Sequence, residues 1–125
     1  MNVESIRTST RDNLSNKALG QLGEKAAARY LQGCGFSIWA RNFRCRTGEI
    51  DIIASRSGQL RFIEVKTRRD CSFDRPGEAV TEAKKQRIRR CAEYYLKKLE
   101  ETGYRPTGIS FDVVEVIIRH TESAF

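Results

Sequence analysis

The fold turns on the stretch "GEIDIIASRSGQLRFIEVK", Gly48 to Lys66. Two runs of Ile, Leu, Phe and Val flank the turn residues "RSG" at Arg56–Gly58, the pattern of two antiparallel strands joined by a tight hairpin. Four charged residues, Glu49, Asp51, Glu64 and Lys66, interrupt those apolar runs. Side chains alternate along a strand. Alternation predicts Glu49, Asp51 and Ile53 on one face of the first strand, with Ile50 and Ile52 on the other. In the second it groups Phe62, Glu64 and Lys66 against Ile63 and Val65. A tight hairpin then brings Asp51 beside the Glu64–Lys66 pair.

Upstream, residues from about Ser15 to Gln32 carry a helical pattern. Leu19, Leu22, Ala26 and Tyr30 recur at helical spacing, and Ala27, Ala28 and Leu31 widen the apolar side. Ser15 or Asn16 caps the start, and "GCG" at Gly33–Gly35 stops the helix. "FSIWARNFRCR" reads as a strand with Phe36, Ile38 and Ala40 on one face. Downstream, "RRDCSFDRPGEA" reads as a loop and Glu78 to Glu101 as a long helix with Ile88, Cys91, Ala92, Tyr95, Leu96 and Leu99 as its stripe. "ISFDVVEVII" closes the chain as a mostly buried strand. The predicted order is α-β-β-β-α-β, an α/β fold with a mixed sheet flanked by helices.

A chain of 125 residues, 39% hydrophobic and 31% charged, suits one domain with a core of its own. We place that domain at residues 15–119, after a flexible polar extension over 1–14 and before a short tail at 120–125. The formal charge of +7 points to an anionic partner, nucleic acid ahead of a membrane or an acidic protein. Cys34, Cys45, Cys71 and Cys91 form no CxxC pair and His120 is the one histidine, which argues against structural zinc and for free thiols in a reducing cytosol. No signal peptide or membrane-spanning run is visible, so the expected location is cytoplasmic.

Clustered carboxylates repel one another and lose hydration when half-buried, and a positive charge among them relieves both. A divalent cation such as Mg²⁺ takes one or two protein carboxylates together with water and phosphate. Lys66 can then orient or help deprotonate a water and stabilise charge developing on phosphorus. Against this stands the plainer alternative of a surface Glu64–Lys66 pair on a solvated sheet face. Asp112, amid "FDVVEV", reads as a structural hydrogen-bonding residue. Glu49 is open between a supporting group of the site and the partner of a nearby arginine.

Asp51 followed by "EVK" at Glu64–Lys66, on consecutive strands after a helix, resembles the PD-(D/E)XK nuclease superfamily. The blocks "GEKAAARYLQGCGF", "ARNFRCRTGEIDII", "FIEVKTR" and "EAVTEAKKQRI" resemble the YraN-like family of uncharacterised, endonuclease-related bacterial proteins, over about residues 20 to 118. The resemblance implies a restriction-endonuclease-like core. It implies that Asp51 and Glu64 bind Mg²⁺ or Mn²⁺ with the Val65 carbonyl as a further ligand, that Lys66 is the catalytic lysine, and that Glu24 completes the metal site. Gln86 matches a polar position near the site. Ile50 stands where the superfamily often has proline.

Arg41, Arg44 and Arg46 precede the acidic hairpin, Arg68 and Arg69 follow it, and Lys84 and Lys85 open the long helix beside Gln86. We assign these to a phosphate-binding rim giving salt-dependent, sequence-tolerant contact with DNA. The expected activity is metal-dependent hydrolysis of phosphodiester bonds in DNA, on branched or structured substrates. The competing reading is a nucleic-acid-binding or protein-interaction module that keeps the nuclease fold without cutting. Resolvase-like relatives work as symmetric pairs, which leaves room for a homodimer.

Overall fold

The Ser57–Gly58 turn sets the register of the sheet. Both residues have positive φ, 52° and 78°, the backbone of a type I′ turn whose twist matches that of the strands it joins. Gly58 adopts this freely and Ser57 does so at a small cost. Arg56 therefore pairs with Gln59, and the ladder runs back through Ile53↔Phe62 to Ile52↔Ile63.

The computed structural model describes residues 15–69 and 80–125. Its elements follow the predicted order: α1 (Asn16–Gly33), β1 (Ser37–Cys45), β2 (Gly48–Arg56), β3 (Gln59–Arg69), α2 (Glu82–Glu101) and β4 (Gly108–Ile118). The strands form one sheet in the order β1-β2-β3-β4. β1, β2 and β3 are antiparallel neighbours, whereas β4 runs parallel to β3. A parallel partner needs a crossover, and α2 lies in that connection. The residues expected as an N-terminal extension lie outside the described chain, as does most of the expected loop before α2.

The two helices cover opposite faces of the sheet. Under α1, Ala27, Ala28 and Leu31 pack on Ile52, Ala54 and Ile63. Under α2, Cys91 and Ala92 pack on Ile50, Ile53, Leu60 and Phe62. Burying a large aliphatic or aromatic side chain is worth about 1.5–3 kcal/mol, so the central strands β2 and β3 carry most of the core.

Five expectations need correction. β4, expected mostly buried, has no fully buried residue and exposes Ile109, Phe111, Val113 and Ile117, because it is the edge strand of the sheet. In α1 the buried stripe is Gly23, Ala27, Ala28 and Leu31. Leu22 and Tyr30, expected inside, are 52% and 62% exposed. The helix is rotated because Gly23 lets it approach β3. In β1 the register shifts between Ile38 and Ala40; Ile38 packs beneath α1 and Ala40 beneath α2. In β2 the alternation slips at Asp51: Ile50 and Ile53 lie beneath α2, Ile52 and Ala54 beneath α1. Finally, β3 continues through Arg68 and Arg69, and α2 begins at Glu82, where the Thr81 side chain accepts from Lys84 N–H.

Candidate functional site

β2 and β3 part company at Asp51. Their pairing ends at Ile52↔Ile63, and beyond it Asp51 Oδ2 accepts the Val65 N–H at 2.8 Å. A side-chain carboxylate thus stands in for a ladder carbonyl. It satisfies a backbone donor that would otherwise be orphaned where the strands split, and it locks Asp51 in place.

Three carboxylates converge there. Ligand atoms of Glu24, Glu49 and Asp51 all lie within 4.8 Å of one another, the one such group of three among the described residues. Glu24 comes from α1. That helix sits close because Gly23 meets Thr67, where a Cβ would stand 1.6 Å from Oγ1. Glu49 follows the β1–β2 turn. α2 supports that turn from beneath: a Cβ on Gly48 would meet Arg87 Cβ at 3.3 Å, and Cys91 Sγ donates to the Gly48 carbonyl at 3.7 Å. Burial pushes the Cys91 thiol up to about 12, so it remains a protonated donor.

Asp51 also neighbours Glu64, whose carboxylate helps to raise it. Glu64 is the one buried charged residue among those described, and it is held on its other side by Lys84 Nζ of α2 at 2.5 Å. Burial raises the Asp51 carboxyl to about 7. The Val65 N–H opposes the rise, and Glu64 and Glu24 add to it. Glu24 is also raised, first by desolvation, with Arg41 pulling the other way.

The structure therefore joins Asp51, Glu64 and Glu24, as expected, and adds Glu49 to the tightest set in place of Glu64. Of the two alternatives left open for Glu49, the pairing with an arginine is present, to Arg44 at 3.4 Å. Lys66, two residues beyond Glu64, is half-buried and makes no ion pair among the described residues. At Val65 the N–H is engaged toward Asp51. Of the proposed rim, Arg41, Arg44 and Lys84 converge on the acidic corner. Arg46 and Gln86 are exposed. Arg68 is bound to Glu115 at 2.6 Å and Lys85 to Glu82 at 3.1 Å. Asp112 accepts from Arg61 and Ser110, as its structural reading anticipated.

One residue was not singled out from the sequence. Asn42 of β1 has φ 53°. With its amide oriented to satisfy its neighbours, Asn42 donates to Glu24 Oε1 at 2.7 Å and to Glu49 Oε1 at 3.2 Å. It ties helix and strand carboxylates into one group. The available signal was an asparagine mid-strand, where that residue is disfavoured unless the backbone turns left-handed.

The chemistry of this donor set fits a hard divalent cation: several carboxylate oxygens within reach of one point and partly desolvated. Among the described residues no helix is long and apolar enough to cross a membrane.

A family model described as uncharacterised protein family UPF0102 matches residues 23–116. The chain is 50% identical over 101 residues to a UPF0102 protein of Symbiobacterium thermophilum, covering 81% of this chain and 83% of the relative. It is 43% identical over 110 residues to a UPF0102 protein of Clostridium acetobutylicum, covering 88% of each. A UPF0102 protein of Nocardia farcinica is 48% identical over 102 residues, 82% of this chain and 78% of the relative.

Proposed function

We propose, for a chain that belongs to the uncharacterised protein family UPF0102, that the acidic corner at the β2–β3 split is a nuclease centre of the PD-(D/E)XK kind. Its reaction is hydrolysis of phosphodiester bonds in DNA with Mg²⁺ or Mn²⁺. The observation that carries this reading is the position of Asp51. Its carboxylate is fixed by the Val65 N–H at 2.8 Å, packed against Glu24, Glu49 and Glu64, and raised to about 7 by burial.

Asp51, Glu24, Glu49 and Glu64 would hold the metal, with the Val65 carbonyl as a further ligand. A bound divalent cation supplies charge for the scissile phosphate and acidity for a water. Lys66, half-buried, would orient that water and stabilise charge developing on phosphorus. Arg41, Arg44 and Lys84 converge on the corner, and Arg46, Arg68, Arg69, Lys85 and Gln86 would extend the basic surface around it. Together they form the phosphate-binding rim, and the formal charge of +7 supports that role. A helix-turn-helix, zinc-finger or aromatic RNA-binding signature is missing from the sequence, so DNA shape is the expected basis of selection.

The experiment is cleavage of a panel of branched, single-stranded and duplex DNAs with Mg²⁺ or Mn²⁺, comparing wild type with Lys66→Ala. Loss of a positioned proton-transfer group lowers rates by about 10²–10⁴-fold. Equal background from both proteins removes the catalytic claim.

A second reading rests on Lys84. Its ammonium lies 2.5 Å from Glu64 and supplies the positive charge that a cation would otherwise bring. This favours a nucleic-acid-binding or protein-interaction module that keeps the nuclease fold without turnover. Calorimetric titration with Mn²⁺ separates the two. Binding lost in Asp51→Asn and Glu64→Gln supports the metal centre, and its lack in wild type supports the module.

A further inference from the structure

The sheet has two edges, and they differ in kind. β1 is irregular: its register shifts between Ile38 and Ala40, Asn42 turns left-handed, and Arg41 and Arg44 stand exposed along it. Such bulges and charges are how proteins keep an edge from pairing with another chain. β4 lacks the bulges and the basic residues, and its two acidic ones, Asp112 and Glu115, are paired within the chain. Its eleven residues, "GISFDVVEVII", pair one for one with β3 from Gly108 to Ile118 without a shift, and contain no Lys, Arg or Pro.

β4 also leaves an apolar stripe open. Ile109, Phe111, Val113 and Ile117 share the face turned toward the α2 side, where Phe111 stacks on Phe62 at 5.5 Å. α2 packs across β1, β2 and β3 and leaves the outer face of β4 largely uncovered, so the four side chains are 45–56% exposed. The two charges of the strand are already matched, Asp112 by Arg61 at 3.2 Å and Glu115 by Arg68 at 2.6 Å. On a chain of net charge +7, this edge is a locally neutral strip, where two copies meet with the least repulsion.

We propose that β4 is the seat of a two-fold dimer, in which the edges of two copies pair antiparallel about Val113 and join the sheets into one of eight strands. Two-fold pairing requires a strand complementary to its own reverse, and this one is. Centred on Val113, all eleven residues are used. Val113 faces Val113, Ile109 faces Ile117, and Phe111 faces Glu115. Asp112 falls opposite Val114, so no carboxylate faces another, whereas centring on Asp112 or Glu115 would oppose like charges directly. The dimer is independent of whether the acidic corner cuts DNA.

Sedimentation velocity at roughly 1 µM to 1 mM covers the range of a reversible dimer. Wild type is expected to shift from monomer to dimer, more readily at higher salt as repulsion between the cationic bodies is screened. Val113→Lys should weaken association at least about tenfold while leaving the far-UV circular dichroism unchanged, because the side chain is exposed. Register is read by cross-linking in a Cys34→Ser, Cys71→Ser background. Facing Cα atoms of an antiparallel pair lie about 4.5–5.5 Å apart, within disulfide range. Val113→Cys should cross-link to itself, and Ile109→Cys to Ile117→Cys in a mixture but not to itself. A monomer at every concentration, or a Val113→Lys protein that pairs as tightly as wild type, overturns the proposal. A monomer would assign the open edge to a strand from another protein.

Discussion

Gly23 of α1 and Thr67 of β3 approach so closely that a Cβ on the glycine would stand 1.6 Å from Thr67 Oγ1 and 2.6 Å from its Cβ. The next residue along the helix is Glu24, so this contact sets how deeply a carboxylate enters the acidic corner.

Gly23→Ala must push α1 off the sheet. Overpacking of this kind costs about 1–3 kcal/mol, so the melting temperature should fall by roughly 5–15 °C in a domain of this size. Thr67→Ala alone should be close to neutral, because Thr67 Oγ1 is buried without a partner and its removal relieves an unsatisfied group. Thermal melts of both variants check this.

The raised Asp51 carboxyl makes the metal-free protein pH-sensitive. Its folded value, about 7, lies above the ordinary 3.8, so the folded state holds the proton more tightly than the unfolded chain. That stabilisation is complete below pH 4 and is lost as pH rises toward 7. Screening at the partly open corner keeps the loss on the order of 1–2 kcal/mol. In EDTA, the contribution of this site should therefore fall between about pH 4 and 7, and Asp51→Asn should flatten that part of the profile. Thermal melts across the range, wild type beside variant, measure it.

Asn42 serves two purposes that substitutions can separate. Asn42→Ala loses both the left-handed backbone preference and the bridge to Glu24 and Glu49, and should cost about 1–2 kcal/mol. Asn42→Gly keeps the backbone and loses only the bridge. Its stability should stay within about 0.5–1 kcal/mol of wild type. Mn²⁺ titration should show weaker binding in both variants. Equal stability losses in the two would place the value of Asn42 in its amide rather than its backbone.

Ser57 occupies the first central position of a type I′ turn with φ 52°, a position that asparagine fills more readily. Ser57→Asn should stabilise the protein by roughly 0.4–1 kcal/mol without altering the site. Denaturant titration with an unchanged slope and a higher midpoint is the expected result.

Much of the fold is legible in local chemistry. "RSG" between two apolar runs marked the hairpin, and the Ile88–Leu99 stripe of α2 packs as its spacing said. The element order followed from period and punctuation. Part of the site was legible as well: Asp51 and Glu64 meet, and Glu24 joins Asp51 in the tightest carboxylate set.

What local pattern cannot carry is irregularity imposed from elsewhere in the chain. The slip at Asp51 moves Ile52 beneath α1 and Ile53 beneath α2. It exists because a side chain, not a carbonyl, takes the Val65 N–H. The rotation of α1 depends on a glycine meeting a threonine forty-odd residues away. Asn42 matters through the helix it reaches.

By itself, then, the sequence determined the elements, their order, the hairpin and the carboxylates available, because these depend on propensities and spacings among near neighbours. The tertiary structure alone decided which carboxylates share a corner, that Glu49 and Asn42 belong to it, and that β4 remains an open edge. Each of those depends on distances between segments remote in the chain, and only packing sets them.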